Sequence, residues 1–210
     1  MDKTIDKTGD QSGLEERELI ERCRSGQESA YEEFYREYSS KVYTLACRIL
    51  GNTDWAKDAT QEIFIKAFSG LTNFQYQSKI STWLYRIAVN QCRDMQRSQT
   101  RKREVSIESV SDNMESVSLL EQVENGKPSP SEEQHARQIR QKIIEAIERL
   151  PEEFRETIYL KEIEDLSYEE IGKIVGCRMG TVKSRIFRAR ELLQKELKDL
   201  YQEMIGGSVT

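Results

Sequence analysis

The chain has 210 residues, enough for one or two ordinary cores, with 33% charged residues, 8% aromatics and a formal net charge of −5. No apolar run is long enough to span a bilayer, and residues 1–13 lack the apolar stretch of a signal peptide, so a cytoplasmic protein without membrane insertion is expected. Cys23, Cys47, Cys92 and Cys177 stand far apart with no Cys-x-x-Cys spacing, and His135 is the only histidine; this argues against a zinc knuckle, a redox pair, a metal site or a bound cofactor, and would rest any histidine relay on one residue.

Residues 1–13 are expected to form a disordered tail. Leu14 to about Cys23 reads as a short helix broken at Gly26. A longer helix follows over 27–50, with Ala30, Phe34, Tyr38, Val42, Leu45 and Ile49 at helical spacing, and Gly51-Asn52 stops it. A third helix is expected from about Asp54 to Phe68. Ala56, Ala59, Ile63 and Ala67 project inward; Asp58, Gln61 and Ile65 project outward, with Phe68 alongside. An apolar pair rimmed by polar groups is the pattern of a partner site, or of a surface helix carrying an incidental isoleucine. Residues 70–80 form a connection rich in aromatic and polar residues.

The next helix, capped by Ser81 or Thr82, carries a stripe. At 100° per residue, Arg86, Asn90, Arg93 and Arg97 share one face, with Arg101 at its edge, while Leu84, Ala88 and Met95 lie opposite, flanked by Ile87 and Cys92. Six basic residues against one acidic occupy 83–103, although the whole chain is acidic. A local contact surface for phosphates and base edges is therefore expected. Residues 104–133 reverse the sign, with eight acidic residues and one basic, no sustained apolar period and a Lys127-Pro128-Ser129-Pro130-Ser131 end. They read as a flexible acidic linker between two helical domains.

A second helical domain starts near Gln134. Ile139, Ile143, Ile147 and Leu150 mark one helix, closed by Pro151; Phe154, Ile158 and Tyr159 mark the next. Ser167-Tyr168-Glu169-Glu170 fits a capping box, Ile171, Ile174 and Val175 make a short helix, and Gly176 supplies a left-handed break. The helix beyond, reaching about Met204, places Val182, Ile186, Ala189 and Leu193 on one face, Ser184, Phe187 and Arg188 opposite, and Lys183, Arg185 and Arg190 on the flanks. A short capped helix, a glycine turn and a longer basic helix make a helix-turn-helix suited to the major groove. Phe187, opposite the buried face, has no core to fill and could lie against a thymine methyl group. No segment alternates as a strand, so the fold class is all-α, in two small domains: an N-terminal helical bundle and a C-terminal helix-turn-helix domain.

Asp165-Leu166-Ser167-Tyr168-Glu169-Glu170-Ile171-Gly172 followed by Gly180-Thr181-Val182-Lys183-Ser184-Arg185 resembles the promoter-reading C-terminal domain of bacterial sigma factors. Residues 58–68 (DATQEIFIKAF) and 81–90 (STWLYRIAVN) resemble their core N-terminal domain. The two-domain layout, covering roughly 14–103 and 134–200, resembles the extracytoplasmic-function (ECF) subfamily of the sigma-70 family. The resemblance implies an initiation factor, with no chemistry of its own, that confers promoter choice on RNA polymerase core. Residues 14–103 would be the region 2 domain, 104–133 the linker, 134–205 the region 4 domain and 206–210 a tail. On matching positions, Arg178, Thr181, Lys183, Ser184, Arg185, Phe187 and Arg188 would read the minus-thirty-five element. Asn90 would help hold a flipped base of the melted minus-ten strand, with Phe74, Trp83, Arg86, Arg93 and Arg97 completing that surface. Melted bases need aromatic or amide surfaces and a cationic track, though Trp83 could equally be a core aromatic and Phe74 a loop anchor. Asp58, Gln61, Glu62, Ile65 and Phe68 would meet the clamp helices of the polymerase β′ subunit, with the β flap as a further contact. The linker would thread the active-centre and RNA-exit channel, or serve only as a solvated spacer. Relatives are commonly held by an anti-sigma factor, so one is an implied partner. The sequence departs from the family pattern at Gln75, where a basic residue is frequent, and at Arg178, where many relatives have proline. A stand-alone helix-turn-helix regulator would leave residues 58–68 and 83–103 unexplained. A metal-dependent nuclease on Asp58 and Glu62 is the third alternative.

Overall fold

A computed structural model describes residues 7–105 and 130–198. All regular structure among them is helical: α1 (Lys7–Arg24), α2 (Glu28–Leu50), α3 (Thr53–Gly70), α4 (Ile80–Val105), α5 (Pro130–Glu148), α6 (Glu152–Glu162), α7 (Tyr168–Val175) and α8 (Met179–Glu196), with a short 3-10 turn at Leu71–Asn73. None of these helices is long and apolar enough to cross a membrane. The structure therefore has the expected all-α class, in two helical units: α1–α4 and α5–α8.

Four boundaries differ from the sequence reading; one is the end of α8, which closes at Glu196 rather than near Met204. Helix α1 starts at Lys7, so most of the expected tail is helical. Helix α4 starts at Ile80, which puts Ser81 and Thr82 inside its first turn. The Ile80 amide instead donates to Glu16 Oε1 of α1 at 3.2 Å, a cap supplied by tertiary contact that local pattern could not reveal. The expected linker lies mostly outside the described residues; its flanks are helical, since α4 reaches Val105 and α5 starts at Pro130. The expected C-terminal tail, 206–210, also lies outside them.

In the N-terminal unit the apolar stripes of α2, α3 and α4 converge. Phe34, Val42, Leu45, Ala56, Ala59, Ile63, Ala67, Leu84 and Ala88 are all fully buried. Phe34 sits among rings, 4.8 Å from Tyr38 and 5.8 Å from Phe68 between centroids. Asn52 caps α3 by accepting from the Asp54 and Trp55 amides, and Gly51 ends α2 in the left-handed region at φ 65°.

The C-terminal unit is built on α6, α7 and α8 around Leu160, Ile171, Ile174, Val182, Ile186 and Ala189. The capping box forms as read: the Glu170 amide donates to Ser167 Oγ at 3.2 Å, and the Ser167 amide donates back to Glu170 Oε2 at 2.9 Å. Burial works against the Glu170 carboxylate, but hydrogen bonds from Ser167 and the charge of Lys79 outweigh it and hold the carboxyl below its ordinary 4.5. A depressed carboxylate stabilises above its unfolded pKa, so this contribution is complete above about pH 4.5 and is lost as pH falls through the folded value. Ser167→Ala is expected to cost about 0.5–2 kcal/mol, measured by urea unfolding of the full chain followed by circular dichroism at pH 7, with a smaller difference from wild type at acid pH.

The two units touch. Helix α4 packs along α7 and α2 along α6, and their buried apolar residues merge into one cluster.

Candidate nucleic-acid interface

The first surface surrounds the start of α4. Trp83 is half-buried, its ring 5.3 Å from that of Phe74, and a Cβ added at Gly70 would meet the Trp83 ring at 3.0 Å. Gly70 thus lets the ring lie close, and a side chain there would press on it, a role invisible in the sequence. Phe74 is only 5% exposed and forms the floor under Trp83. The sequence reading had Phe74 facing a DNA strand or anchoring its loop; it is the anchor by position, because the loop folds inward on Leu71 and Phe74.

That loop is fastened from α1. Arg24 donates from Nε to the Leu71 carbonyl at 2.9 Å and from a terminal nitrogen to the Phe74 carbonyl. The Tyr76 hydroxyl donates to Glu21 at 2.7 Å, with Arg17 and Arg24 lying 5.2 and 5.1 Å from its ring centroid. Tyr76 itself has φ 54°, an uncommon left-handed conformation for a bulky residue. None of these fasteners has a local sequence signature, because each joins positions about fifty residues apart.

The fastened loop and the first turn of α4 enclose a recess of about 410 Å³. Its walls offer amides (Asn73, Gln75, Gln77), the Trp83 ring and Arg86. The Thr82 hydroxyl, also in the wall, is buried and has no hydrogen-bond partner in the structure. A buried unpaired hydroxyl is costly. Asn90 and Arg86 are exposed on the same helix, and Arg97 is exposed, 3.5 Å from Asp94.

Arg93 is different. Its Nε and Nη2 donate to the two oxygens of Glu156 at 3.0 and 2.5 Å, and Nη1 donates to the Val175 carbonyl at 3.2 Å. The expected uninterrupted cationic strip is therefore broken at Arg93, whose nitrogens are committed to the C-terminal unit. Burial pushes the Glu156 carboxyl above its ordinary value, with Arg93 pulling the other way.

The second surface is α7, its turn and α8. Gly176 turns the chain at φ 74°. Gly172 lies under the turn, where a Cβ would stand 2.8 Å from the Cys177 carbonyl oxygen; glycine is required there by close approach. On α8, Val182, Ile186 and Ala189 face inward, while Thr181, Lys183, Ser184, Phe187 and Arg188 are exposed. Phe187 is 63% exposed, among the most exposed large apolar side chains of the described residues. Among those residues Arg178 and Arg188 make no ion pair. Arg185 is only partly exposed, because it pairs with Glu153 at 2.7 Å, and Arg190 pairs with Glu162 at 2.6 Å. The expected flanking cations thus divide into two held within their own unit and those left outward.

The third surface is the outer side of α2 and α3. Asp58, Gln61 and Glu62 are exposed, Ile65 is 59% exposed, and Phe68 is partly buried with its ring 4.9 Å from Tyr31. Tyr35, exposed and 4.7 Å from the Phe64 ring, adds an aromatic that the helical projection of α3 alone did not include. Asp58 and Glu62 join no cluster of three metal-capable side chains among the described residues. Burial raises the thiols of Cys23, Cys47 and Cys92, the last to about 12.

Both units of the chain match known protein families. Residues 34–102 match the family model for Sigma-70 region 2, and residues 140–193 match that for Sigma-70 region 4. The chain is 38% identical over 189 residues to the ECF RNA polymerase sigma-E factor of Escherichia coli strain K12, covering 89% of this chain and 96% of that protein. It is 35% identical over 181 residues to the ECF RNA polymerase sigma factor SigW of Bacillus subtilis, covering 86% of this chain and 96% of that one. Among solved structures, the sigma factor RpoE in complex with the anti-sigma factor NepR from Bartonella quintana superposes with a TM-score of 0.61 at 27% identity, over 80% of this chain and 96% of that one. CnrH, in complex with the cytosolic domain of CnrY, shares the fold with a TM-score of 0.60 at 21% identity, over 88% of this chain and 97% of that one.

Proposed function

The chain belongs to the extracytoplasmic-function sigma factors of the sigma-70 family, and from that premise we propose which of its surfaces performs each part of promoter-directed initiation by RNA polymerase. The α8 face carrying Lys183, Ser184, Phe187 and Arg188, with Thr181 and Arg178 at its start, reads the minus-thirty-five element in the major groove. Arg185 steadies that face through Glu153 and reaches a phosphate only by exchanging partners. The recess at the start of α4 receives a base of the melted minus-ten strand. Trp83 stacks, Phe74 supports it from below, and Asn90 with Arg86 and Arg97 follows the strand outward. The outer face of α3 (Asp58, Gln61, Glu62, Ile65, Phe68) docks on the clamp helices of β′, and the C-terminal unit meets the flap of β. Residues 14–103 and 134–205 act as the region 2 and region 4 domains joined by 104–133.

The observation that carries this reading is the recess itself: amides, an aromatic ring and a cation converge there, a combination suited to a single extruded base rather than to a duplex. The protein works without catalytic residues or a cofactor of its own, in the cytoplasm. An anti-sigma factor restrains it, as NepR is bound to the sigma factor in the Bartonella quintana complex.

Run-off transcription with purified polymerase core on a genomic promoter library tests the whole assignment: initiation sites that appear only with this chain support it, and identical sites with and without it refute it. On a promoter so found, Arg188→Ala is expected to cost about 1–3 kcal/mol of minus-thirty-five recognition if Arg188 reads a base; an equal loss on random duplex would make it a phosphate contact. Asn90→Ala is expected to reduce permanganate reactivity of the melted strand while leaving duplex binding by the full chain unchanged. Unaltered melting would remove Asn90 from that role.

A further inference from the structure

The loop between α3 and α4 is held from outside itself. With the described residues, 75–78 make no backbone–backbone hydrogen bond. Helix α1 supplies what they lack. Arg24 donates to the carbonyls of Leu71 and Phe74, and its remaining terminal nitrogen donates to Glu21 Oε1 at 2.7 Å. The same carboxylate oxygen accepts from the Tyr76 hydroxyl at 2.7 Å. Glu16 takes the Ile80 amide at the far end. One helix thus grips the start, the middle and the end of the loop. The grip sorts the side chains. Phe74 is buried and Tyr76 turns to α1, while Gln75 and Gln77 are left exposed in the recess wall. There the Gln77 amide nitrogen donates to the Gln75 side-chain oxygen at 2.9 Å. A bulky residue keeps a φ of 54° only where its surroundings over-determine it. For Tyr76 those surroundings are the Glu21 bond and the guanidinium groups of Arg17 and Arg24, 5.2 and 5.1 Å from its ring.

We propose that Arg24 is a positioning residue for minus-ten recognition, acting through the loop that it ties down with Glu21 and Tyr76. Helix α1 presets the loop, so that the amides of Gln75 and Gln77 meet the extruded base in an arrangement fixed before the strand arrives. This rests on the assignment of the recess to a base. Arg24 itself is no strand contact, because all three of its side-chain nitrogens are bonded within the protein. The role calls for arginine. A planar fork with donors in fixed directions spans two carbonyls and a carboxylate at once, whereas a lysine ammonium placed on one carbonyl abandons the other. Both glutamines are neutral, so they act only through hydrogen bonds, whose strength falls steeply with misalignment. Without the fork the loop has no backbone ladder to fall back on, and the two amides part. The strand then selects the competent conformer from a mixture. If that conformer is about a tenth of the population, single-strand affinity falls about tenfold. Discrimination between bases falls with it, since it depends on donors and acceptors held in place.

The test uses holoenzyme assembled from the full chain and purified polymerase core. The probe is a labelled single-stranded minus-ten oligonucleotide from a promoter found by run-off transcription, made in four versions that differ at the extruded base. Wild type is expected to bind one version best. Arg24→Ala and Arg24→Lys are both expected to bind that version about tenfold more weakly and to rank the four nearly alike, with minus-thirty-five duplex binding unchanged. Tyr76→Phe removes only the hydroxyl bond to Glu21 and is expected to fall between them and wild type; it carries the test should Arg24→Ala lose helical signal in circular dichroism. Replacing both amides (Gln75→Ala with Gln77→Ala) is expected to flatten the ranking in the wild-type background and to change little once Arg24 is alanine, as residues acting as one unit do. The slope of log affinity against log salt is expected to stay that of wild type. A slope lower by about one in Arg24→Ala, with affinity restored by lysine, would make Arg24 a phosphate contact and overturn the positioning role. So would a ranking kept intact in both Arg24 variants. Wild type that ranks the four versions alike removes the base from the recess, and this inference falls with that assignment.

Discussion

Replacing Phe34 by alanine lowers the stability of the N-terminal unit by about 3–5 kcal/mol. Phe34 is wholly buried, and its ring meets those of Tyr38, Phe64 and Phe68 at 4.8, 6.3 and 5.8 Å. Alanine removes the apolar transfer term and leaves a cavity that three helices cannot close without dismantling the other rings. The loss is a large part of a typical total of about 5–15 kcal/mol. Both tryptophans of the chain, Trp55 and Trp83, lie in this unit, so fluorescence during urea unfolding reports it selectively. Phe34→Leu keeps much of the volume and is expected to cost under about 1.5 kcal/mol. A loss below about 1 kcal/mol for alanine would mean that Phe64 and Phe68 refill the space and that the aromatic cluster is not the foundation of α3. The functional consequence follows from position: the same cluster supports the α3 surface assigned to polymerase.

The second large effect is expected at that surface. Ile65 is 59% exposed and faces away from the core, so Ile65→Glu is expected to leave folding within about 0.5 kcal/mol of wild type. Binding to polymerase core is another matter. Burying an isoleucine at an interface contributes about 1.5–3 kcal/mol, and glutamate forfeits that while adding a carboxylate that must be desolvated. The expected loss of core affinity is therefore about 2 kcal/mol or more, the range of an interface hot spot, and upwards of thirtyfold in Kd. Fluorescence anisotropy of the labelled chain titrated with core measures it. Ile65→Ala separates the two contributions and should lose less. Unchanged core affinity in Ile65→Glu would move the docking site off α3, even though transcription still depended on the chain.

These two tests draw on opposite faces of α3, and that division was legible in the residue order. Ala56, Ala59, Ile63 and Ala67 recur at helical spacing and are all buried, while Asp58, Gln61 and Ile65 are outside. The same holds for α8, where Val182, Ile186 and Ala189 face in and Phe187 faces out. Recognition of the bounded motifs carried the family, and the family carried the function. The candidate site was less completely readable. Trp83, Arg86 and Asn90 stand where the helical projection put them, but Phe74 is a floor rather than a face, Arg93 is withdrawn into an ion pair, and Arg185 is held by Glu153. Each depends on a partner that the helix's own period cannot name.

What the residue order determined by itself is local and periodic. It includes the helices, their inward stripes, the Ser167–Glu170 capping box, the left-handed stop at Gly176 and the alternation of basic, acidic and basic segments. These follow from interactions between residues one to four apart, whose geometry a helix dictates. Tertiary structure alone decided the rest. Glu16 caps a helix that starts sixty-four residues later, Arg24 ties down the loop under Trp83, Gly172 makes room for the Cys177 carbonyl, and Glu156 takes Arg93 across the two units. Such pairings join distant stretches of chain, and which carboxylate meets which arginine depends on how whole helices pack, a free-energy balance spread over both cores and encoded in no single window of sequence.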